Sequence, residues 1–197
     1  MLPFSEACER NKGPILAVLR DVFAAPCQVL EIGSGTGQHA VHFAAALPHL
    51  TWHPTERLAC LPDLAARVKA EGGVNLRPPA VLDVSQSVWP LRTADAVFTA
   101  NTLHIMSWRE VNALFLRIGT TLASGGPLCI YGPFRYHGVY TSASNREFDA
   151  HLQARDAQSG LREISAVTAL GADIGLRLVA DHDLPANNRL LVFAKEP

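Results

Sequence analysis

The chain has 197 residues, 48% hydrophobic and 18% charged, which excludes a disordered polypeptide and suits one compact domain with a full core. Its net charge is −1 without any run of Lys or Arg, so no broad nucleic-acid-binding surface is expected. No apolar stretch reaches the roughly 20 residues that cross a bilayer, and the N-terminus lacks a secretion-signal pattern. Four widely spaced cysteines without a C-x-x-C pair favour a reduced, cytoplasmic protein.

The residue pattern in the N-terminal third of the chain predicts a nucleotide-binding βα unit. A first helix is expected over Pro14–Ala24, stopped by Pro26, and a short buried strand over Gln28–Ile32. Three glycines at every second position follow the strand, and a helix is predicted over Gln38–Leu47. Glycines permit a sharp turn and the close approach of a ligand to the backbone, which is the use that dinucleotide-binding folds make of this layout.

The middle of the chain alternates predicted strands and helices. A second strand over Leu50–His53 is followed by Glu56, about 20 positions beyond the last glycine, where a ribose-binding carboxylate belongs. A helix is expected over Leu58–Glu71. The third strand, Val74–Leu82, contains two prolines and should lie near a sheet edge, with Asp83 just beyond it.

The second half begins with a fourth strand, Ala94–Ala100, which ends at Asn101. The next helix, Trp108–Leu122, carries an N-terminal capping box of Ser107 and Glu110. The remaining predictions are a fifth strand over Pro127–Tyr131, an aromatic and polar loop over Gly132–Ala143, helices over Ser144–Gln158 and Glu163–Ala172, and strands over Leu176–Asp183 and Arg189–Lys195.

This order of elements predicts an α/β fold with a doubly wound, mostly parallel sheet and an antiparallel C-terminal hairpin. Ligands of such sheets bind at the carboxyl ends of the strands. Four features fall at those ends in the predicted fold: Gly33–Gly37, Glu56, Asp83 and Asn101–His104.

The glycine turn reads E-x-G-x-G-x-G from Glu31 to Gly37, which resembles motif I of the class I S-adenosylmethionine (SAM)-dependent methyltransferases. More narrowly, the chain resembles a small methyltransferase-like family of the DUF938 type. Four segments carry this closer likeness: P-F-S-x-A-x-x-x-N-x-x-P-I-L at Pro3–Leu16, W-x-P-T-E at Trp52–Glu56, N-x-x-H-I at Asn101–Ile105 and G-P-F at Gly132–Phe134. The closer likeness names no substrate.

The resemblance implies a single methyltransferase-like domain over residues 1–197, with a Rossmann-like sheet of seven strands and SAM as the cofactor. It implies that the following residues bind the cofactor: Asn11, Glu31, Gly33, Ser34, Gly35, Gly37, Glu56, Asp83, Val84 and Asn101. Glu31, inside a strand, needs a partner, which is either the amides of the glycine turn or the ammonium of the ligand. Asp83 could instead cap the turn that follows it, and Asn11 could instead cap the helix from Pro14 onward.

Asn101 and His104 are the candidate catalytic residues. If the methyl acceptor must lose a proton, a histidine is the natural base, so His104 is the candidate for that role. The alternative is that His104 packs beside the following helix or caps it.

The end of the fifth strand and the aromatic stretch after it form the candidate acceptor pocket, with these substrate-binding residues: Tyr131, Phe134, Arg135, Tyr136 and Tyr140. Arg135 would favour a carboxylate or phosphate on the acceptor. The alternative is a surface loop anchored by one or two rings. His39 and His42 have the spacing of a metal pair on a helix but no third ligand, so no metal is expected.

The leading functional interpretation is a SAM-dependent methyltransferase acting on a small-molecule substrate, without a nucleic-acid or membrane partner and as a monomer or homodimer. An NAD(P)-dependent oxidoreductase shares the βα unit and the ribose-binding acid, although the glycine spacing argues against it. A SAM-binding regulatory protein without catalysis is the third possibility.

Overall fold

A computed structural model describes residues 2–25 and 27–197, so the predicted stop at Pro26 lies outside the described residues. The helices in these ranges are α1 (Glu6–Val22), α2 (Gln38–Ala46), α3 (Leu61–Glu71), α4 (Trp108–Thr121), α5 (Ala143–Arg155) and α6 (Ile164–Ala172). The strands are β1 (Gln28–Ile32), β2 (Thr51–Glu56), β3 (Ala80–Val81), β4 (Ala96–Ala100), β5 (Pro127–Gly132), β6 (Phe134–Tyr136), β7 (Val139–Tyr140), β8 (Arg162–Glu163), β9 (Leu176–Leu184) and β10 (Asn188–Lys195).

Seven strands form the main sheet in the order β3-β2-β1-β4-β5-β10-β9. The strands β1 to β5 pair in parallel, whereas β10 is antiparallel to both of its neighbours. The predicted doubly wound sheet with an antiparallel C-terminal hairpin is therefore confirmed. The chain order reverses between β1 and β4, and this switch point is where ligands of such sheets bind.

Both faces of the sheet are covered. On one face α4 and α6 pack on a core that includes Leu114, Ile118 and Phe193. On the other face α1 and α2 cover a core centred on the rings of Phe43 and Trp52, whose centroids lie 5.6 Å apart. Since β1 alternates between these faces, its Val29 and Leu30 lie in different cores, as expected for a central strand.

The helix α4 begins as predicted. The Ser107 hydroxyl accepts a hydrogen bond from the Glu110 amide at 3.2 Å, and the Glu110 carboxylate accepts one from the Ser107 amide at 2.7 Å. This capping box satisfies backbone donors at the helix start that would otherwise lack partners.

Several elements differ from the sequence predictions, and three of them show why. The helix α1 starts at Glu6 rather than at Pro14, because the Ser5 hydroxyl caps its first turn by accepting from the Cys8 amide. The strand β2 extends to Glu56 instead of ending before Pro54. The residues on both sides of the proline pair in register with β1, so the proline does not end the strand. The strand β3 keeps only two residues, at the sheet edge.

The stretch 132–143 is not a loop. After the end of β5 its backbone forms β6 and β7, which join β8 in a second, three-stranded sheet. The Glu163 carboxylate accepts from the amides of His137 and Gly138 and holds the tight turn between β6 and β7. No helix within the described ranges is long and apolar enough to cross a membrane.

Candidate functional site

A cavity of about 720 Å³ lies at the carboxyl edge of the main sheet. Its walls include residues that end or closely follow five parallel strands: Gly33, Glu56, Asp83, Asn101 and Pro133. Because these strands point the same way, residues from distant parts of the sequence meet at this one edge. The structure thus brings together the four features that the sequence placed at strand ends.

The glycine turn between β1 and α2 forms one wall, and its geometry requires glycine. Gly33, Gly35 and Gly37 have φ angles of 71°, 53° and 77°, which L side chains rarely adopt. A Cβ at Gly33 would lie 2.6 Å from the Thr102 methyl group, whereas a Cβ at Gly35 would meet no protein atom within 4 Å. Gly33, Ser34 and Gly35 line the cavity.

Glu56 faces this turn from the end of β2. Its Oε2 accepts from the Gly35 amide at 2.8 Å, and its Oε1 accepts from the Arg57 amide at 2.8 Å. Each carboxylate oxygen is thus oriented by one backbone donor and keeps further capacity to accept hydrogen bonds.

Asp83 and Val84 line the cavity beyond β3. One Asp83 oxygen accepts from both the amide and the hydroxyl of Ser85, at 2.9 and 2.6 Å, and these bonds lower the pKa of the Asp83 carboxyl. Asp83 therefore holds a short turn, as one interpretation of the sequence expected, while remaining at the cavity wall.

Three predicted cofactor ligands, Asn11, Glu31 and Gly37, do not line the cavity. Asn11 lies within α1, where its Oδ1 accepts from His39 Nε2 at 2.6 Å. Glu31 is buried in β1 with the Trp52 indole N–H as its partner at 2.8 Å, and burial raises its pKa to about 7. Gly37 lies at the start of α2, packed against Leu64 and Arg67.

The two predicted catalytic residues do line the cavity. Asn101 has a positive φ of 57° and donates its backbone amide to the Tyr131 carbonyl at 2.8 Å. His104 is only 5% exposed, and its ring lies edge-on to the Phe148 ring with centroids 5.4 Å apart. Burial, with a smaller contribution from Arg162, lowers the pKa of His104 to about 4, so its ring is neutral at physiological pH.

None of the five predicted substrate residues lines this cavity. Tyr131 and Phe134 are buried in the two cores on opposite faces of the sheet. Arg135, Tyr136 and Tyr140 belong to the small second sheet. Tyr136 and Tyr140 line a separate, shallower cleft of about 320 Å³. The stretch 132–143, predicted as one loop, instead contributes β6 and β7 to the second sheet.

Several cavity residues were not among the predicted site residues. Ser5, Ala7 and Cys8 come from the N-cap and first turn of α1, within the Pro3–Leu16 segment of the family likeness, and Asn145 and Phe148 come from α5. Both helices reach the cavity only through packing between distant segments. Among the described residues, no three His, Cys, Asp or Glu side chains are grouped to hold a metal ion.

Solved structures with the same fold include several O-methyltransferases. The mitomycin 7-O-methyltransferase MmcR has a TM-score of 0.83 at 19% identity, over 96% of this chain and 54% of its own. An O-methyltransferase family protein from Burkholderia thailandensis has a TM-score of 0.83 at 18% identity, over 97% of this chain and 58% of its own. Human N-acetylserotonin methyltransferase in complex with SAM has a TM-score of 0.79 at 16% identity, over 98% of this chain and 53% of its own. The chain spans just over half the length of these proteins, and the likeness establishes the fold.

The family itself is identified by sequence. The segments that suggested a DUF938-type likeness lie at α1, β2, the end of β4 and the end of β5, and all four adjoin the cavity or its supporting helices. The sequence profile of the family described as "Protein of unknown function (DUF938)" matches residues 2–195, and the chain therefore belongs to that family.

Proposed function

We propose that this chain is a SAM-dependent methyltransferase that acts on a small-molecule acceptor. The observation that carries the proposal is the juxtaposition at one cavity of a bare glycine turn, an oriented carboxylate and a buried neutral histidine. The fold shared with O-methyltransferases, and with a methyltransferase solved with SAM, supports the same conclusion.

The residues at the glycine-turn end fit an adenosyl cofactor. Gly35 leaves open the space that a side chain would fill, so a ligand can approach its backbone. Glu56, fixed by the amides of Gly35 and Arg57, would accept hydrogen bonds from the ribose hydroxyls. Asp83 and Val84 would face the adenine, and Asn101 the reacting end. Bound SAM would supply a methyl group that its sulfonium charge activates for transfer.

His104 is the proposed general base. Its ring is neutral and lines the cavity wall, and neither ring nitrogen forms a hydrogen bond with a side chain or backbone group of the described ranges. Its low pKa makes it too weak a base to deprotonate a free hydroxyl beforehand, but it can accept the proton as the methyl group is transferred, when the oxygen that carries both groups is strongly acidic. The cavity walls would further accelerate methyl transfer by excluding water and by orienting the acceptor toward the methyl group.

The test is calorimetric titration of the purified protein with SAM, S-adenosylhomocysteine (SAH) and NADH. SAM and SAH should bind, and Glu56→Ala should weaken them about tenfold or more, because a hydrogen bond to a charged group is worth about 1.5–3 kcal/mol. Glu147→Ala is the matched control, since Glu147 is exposed on α5 and is not among the cavity-lining residues. Binding of NADH alone would replace the proposal with an oxidoreductase.

Turnover separates an enzyme from a SAM-binding regulator. The protein is incubated with SAM and a panel of small phenols and amines, and SAH formation is measured. His104→Ala should abolish turnover while SAM affinity stays within about threefold of the native value. Unchanged turnover in this variant would remove His104 from the mechanism, and SAM binding without turnover on any acceptor favours the regulator.

A further inference from the structure

The cavity has a second end, away from the glycine turn, which we call the acceptor end. It is formed by His104, Met106, Glu110, Asn145, Phe148 and Asp156. Two contacts hold the segments together: the Gly160 amide donates to the His104 carbonyl at 2.9 Å, and the Ser159 hydroxyl donates to the Ile105 carbonyl at 3.2 Å. The acceptor end is therefore built from the chain after β4, from α5 and from the segment that follows α5.

The charged side chains that line the acceptor end are both carboxylates. Glu110 accepts through its Oε2 from Ser107, and Asp156 accepts through its Oδ1 from the Gln158 amide. The guanidinium that lines the cavity, Arg57, directly follows Glu56 at the opposite end. Asp156 is exposed and Glu110 half-buried, so an anion placed at the acceptor end would meet a negative potential that solvent screens only in part.

Arg162 lies behind this wall and does not line the cavity. Its guanidinium donates to the backbone carbonyls of Leu103, Met106 and Gln158, and it stacks over the Trp108 ring at 5.8 Å. These bonds tie the cation to the protein backbone, so it offers no ion pair to an occupant of the cavity.

Two further polar groups of the acceptor end each offer an atom that can accept a hydrogen bond. Asn145 is 6% exposed, and its Nδ2 donates to the Thr141 hydroxyl and the Asn187 carbonyl, which leaves its Oδ1 as the available atom. The neutral His104 ring has one nitrogen that accepts and one N–H that donates, and it lines the cavity. The Asn145 oxygen and the unprotonated His104 nitrogen each match a donor on the occupant.

We propose that the acceptor end selects a small nucleophile that carries a hydrogen-bond-donating hydroxyl or amine and no acidic group. Phe148 and Met106 supply an apolar surface for its carbon skeleton, His104 and Asn145 accept its hydrogen bonds, and Glu110 and Asp156 reject anions. This inference rests on the proposed function and names the substrate class of the same site.

The test uses three ligands that share one hydroxyphenyl group and differ in the charge of the side chain: 4-(2-hydroxyethyl)phenol, tyramine and 4-hydroxyphenylacetate. Each is titrated calorimetrically into the SAH-saturated protein near pH 7.5. The uncharged and the cationic ligand should bind at least about tenfold more tightly than the anion, a difference of about 1.4 kcal/mol.

The charge-only variant is Glu110→Gln combined with Asp156→Asn. Glutamine preserves the capping box of α4, so the helix start is retained while the charge is removed. The preference against the anion should fall at least about threefold. The control is Glu147→Gln with Asp173→Asn, which removes the same net charge at exposed positions outside the cavity lining and should leave the preference unchanged.

The outcomes separate this inference from the proposed function. Equal or tighter binding of the anion overturns the inference, as does an unaltered preference in the Glu110 and Asp156 variant. If SAH binds and none of the three ligands does, the inference fails while the cofactor site stands. If SAH itself does not bind, the proposed function fails and takes the inference with it.

Discussion

At the scale of single residues, Glu31 is an acid placed where water cannot reach it. It is 1% exposed in the central strand β1, and the Trp52 indole N–H is its hydrogen-bond partner. Burial disfavours the charged form and raises the pKa of its carboxyl from 4.5 to about 7, against the opposing effect of the Trp52 bond. Glu31 therefore contributes to stability in a pH-dependent way.

Between pH 4.5 and 7 the folded chain keeps a proton on Glu31 that the unfolded chain has lost, so this group makes stability fall as pH rises. Glu31→Gln removes the titration and keeps an oxygen for Trp52. The free energy of unfolding of this variant, relative to native protein, should rise by about 3 kcal/mol from about pH 4.5 to about pH 7.5 in guanidinium titrations. Glu147→Gln, at an exposed position, is the control. A gap that stays constant with pH would contradict the prediction.

His104 is the second residue whose charge state depends on burial. Its pKa is lowered to about 4, so the neutral ring persists from about pH 5 to about pH 8. In an NMR titration its ring carbon resonance, assigned by its loss in His104→Gln, should not move over this range. A midpoint near pH 6.5 would show instead that the ring is exposed to water and that the wall around it opens.

At the scale of elements, the turn between β1 and α2 combines two glycines with different reasons for being glycine. Gly33 has the Thr102 methyl group against it, and Gly35 has open space. Both have positive φ, so both are strained by a side chain. Protein packing and backbone conformation both favour glycine at position 33, whereas at position 35 only the positive φ does so within the protein.

Gly33→Ala should lower the free energy of unfolding by about 2–5 kcal/mol, because left-handed backbone strain adds to overpacking. Gly35→Ala should cost only about 1–2 kcal/mol from backbone strain, yet weaken SAH at least about tenfold by placing a methyl group in the cavity. Chemical denaturation and calorimetry on the two variants measure both effects. The prediction is wrong if Gly35→Ala binds SAH as native protein does.

At the scale of the whole molecule, Arg67 of α3 joins three distant parts of the chain. Its Nε donates to the Thr36 carbonyl in the glycine turn at 2.7 Å, its Nη2 to the Pro3 carbonyl at 2.5 Å and its Nη1 to Glu71 at 2.8 Å. The N-terminal segment that it holds is also bound by Gln38, which accepts from the Ser5 amide at 2.6 Å. This segment forms the cavity wall beside the glycine turn.

Arg67→Met should release the N-terminal segment, because it removes the donors for two backbone carbonyls and leaves them unsatisfied. Trypsin should cleave after Arg10 at least about threefold faster, as measured by mass spectrometry, and SAH affinity should fall. Arg77→Met, at an exposed position outside the cavity lining, is the control. Equal cleavage rates in both variants would show that the segment is held by other contacts.

Local pattern was sufficient for most elements. The β-branched and apolar run of β1, the capping box of α4 and the turn before β10 each depend on neighbours in the sequence, so their positions and the sheet class were predictable. The meeting of the strand ends was predictable as well, because parallel strands bring their carboxyl ends to one edge of the sheet. The order of the strands alone therefore predicts that the residues at these ends lie together, and all of them line the cavity: Gly33, Glu56, Asp83, Asn101 and His104.

The fold class and the cavity residues at the strand ends were thus predictable from the order of the residues. The rest of the cavity wall, which includes Asn145, Phe148 and the first turn of α1, became visible only in the folded chain. In the folded chain Tyr131 lies in the core, and Glu31 does not line the cavity. The physical reason is that the end of a strand depends on the hydrophobic pattern and the turn residues of its own segment. Whether a helix reaches the cavity depends on its packing angle on the sheet, which is set by side chains far apart in the chain.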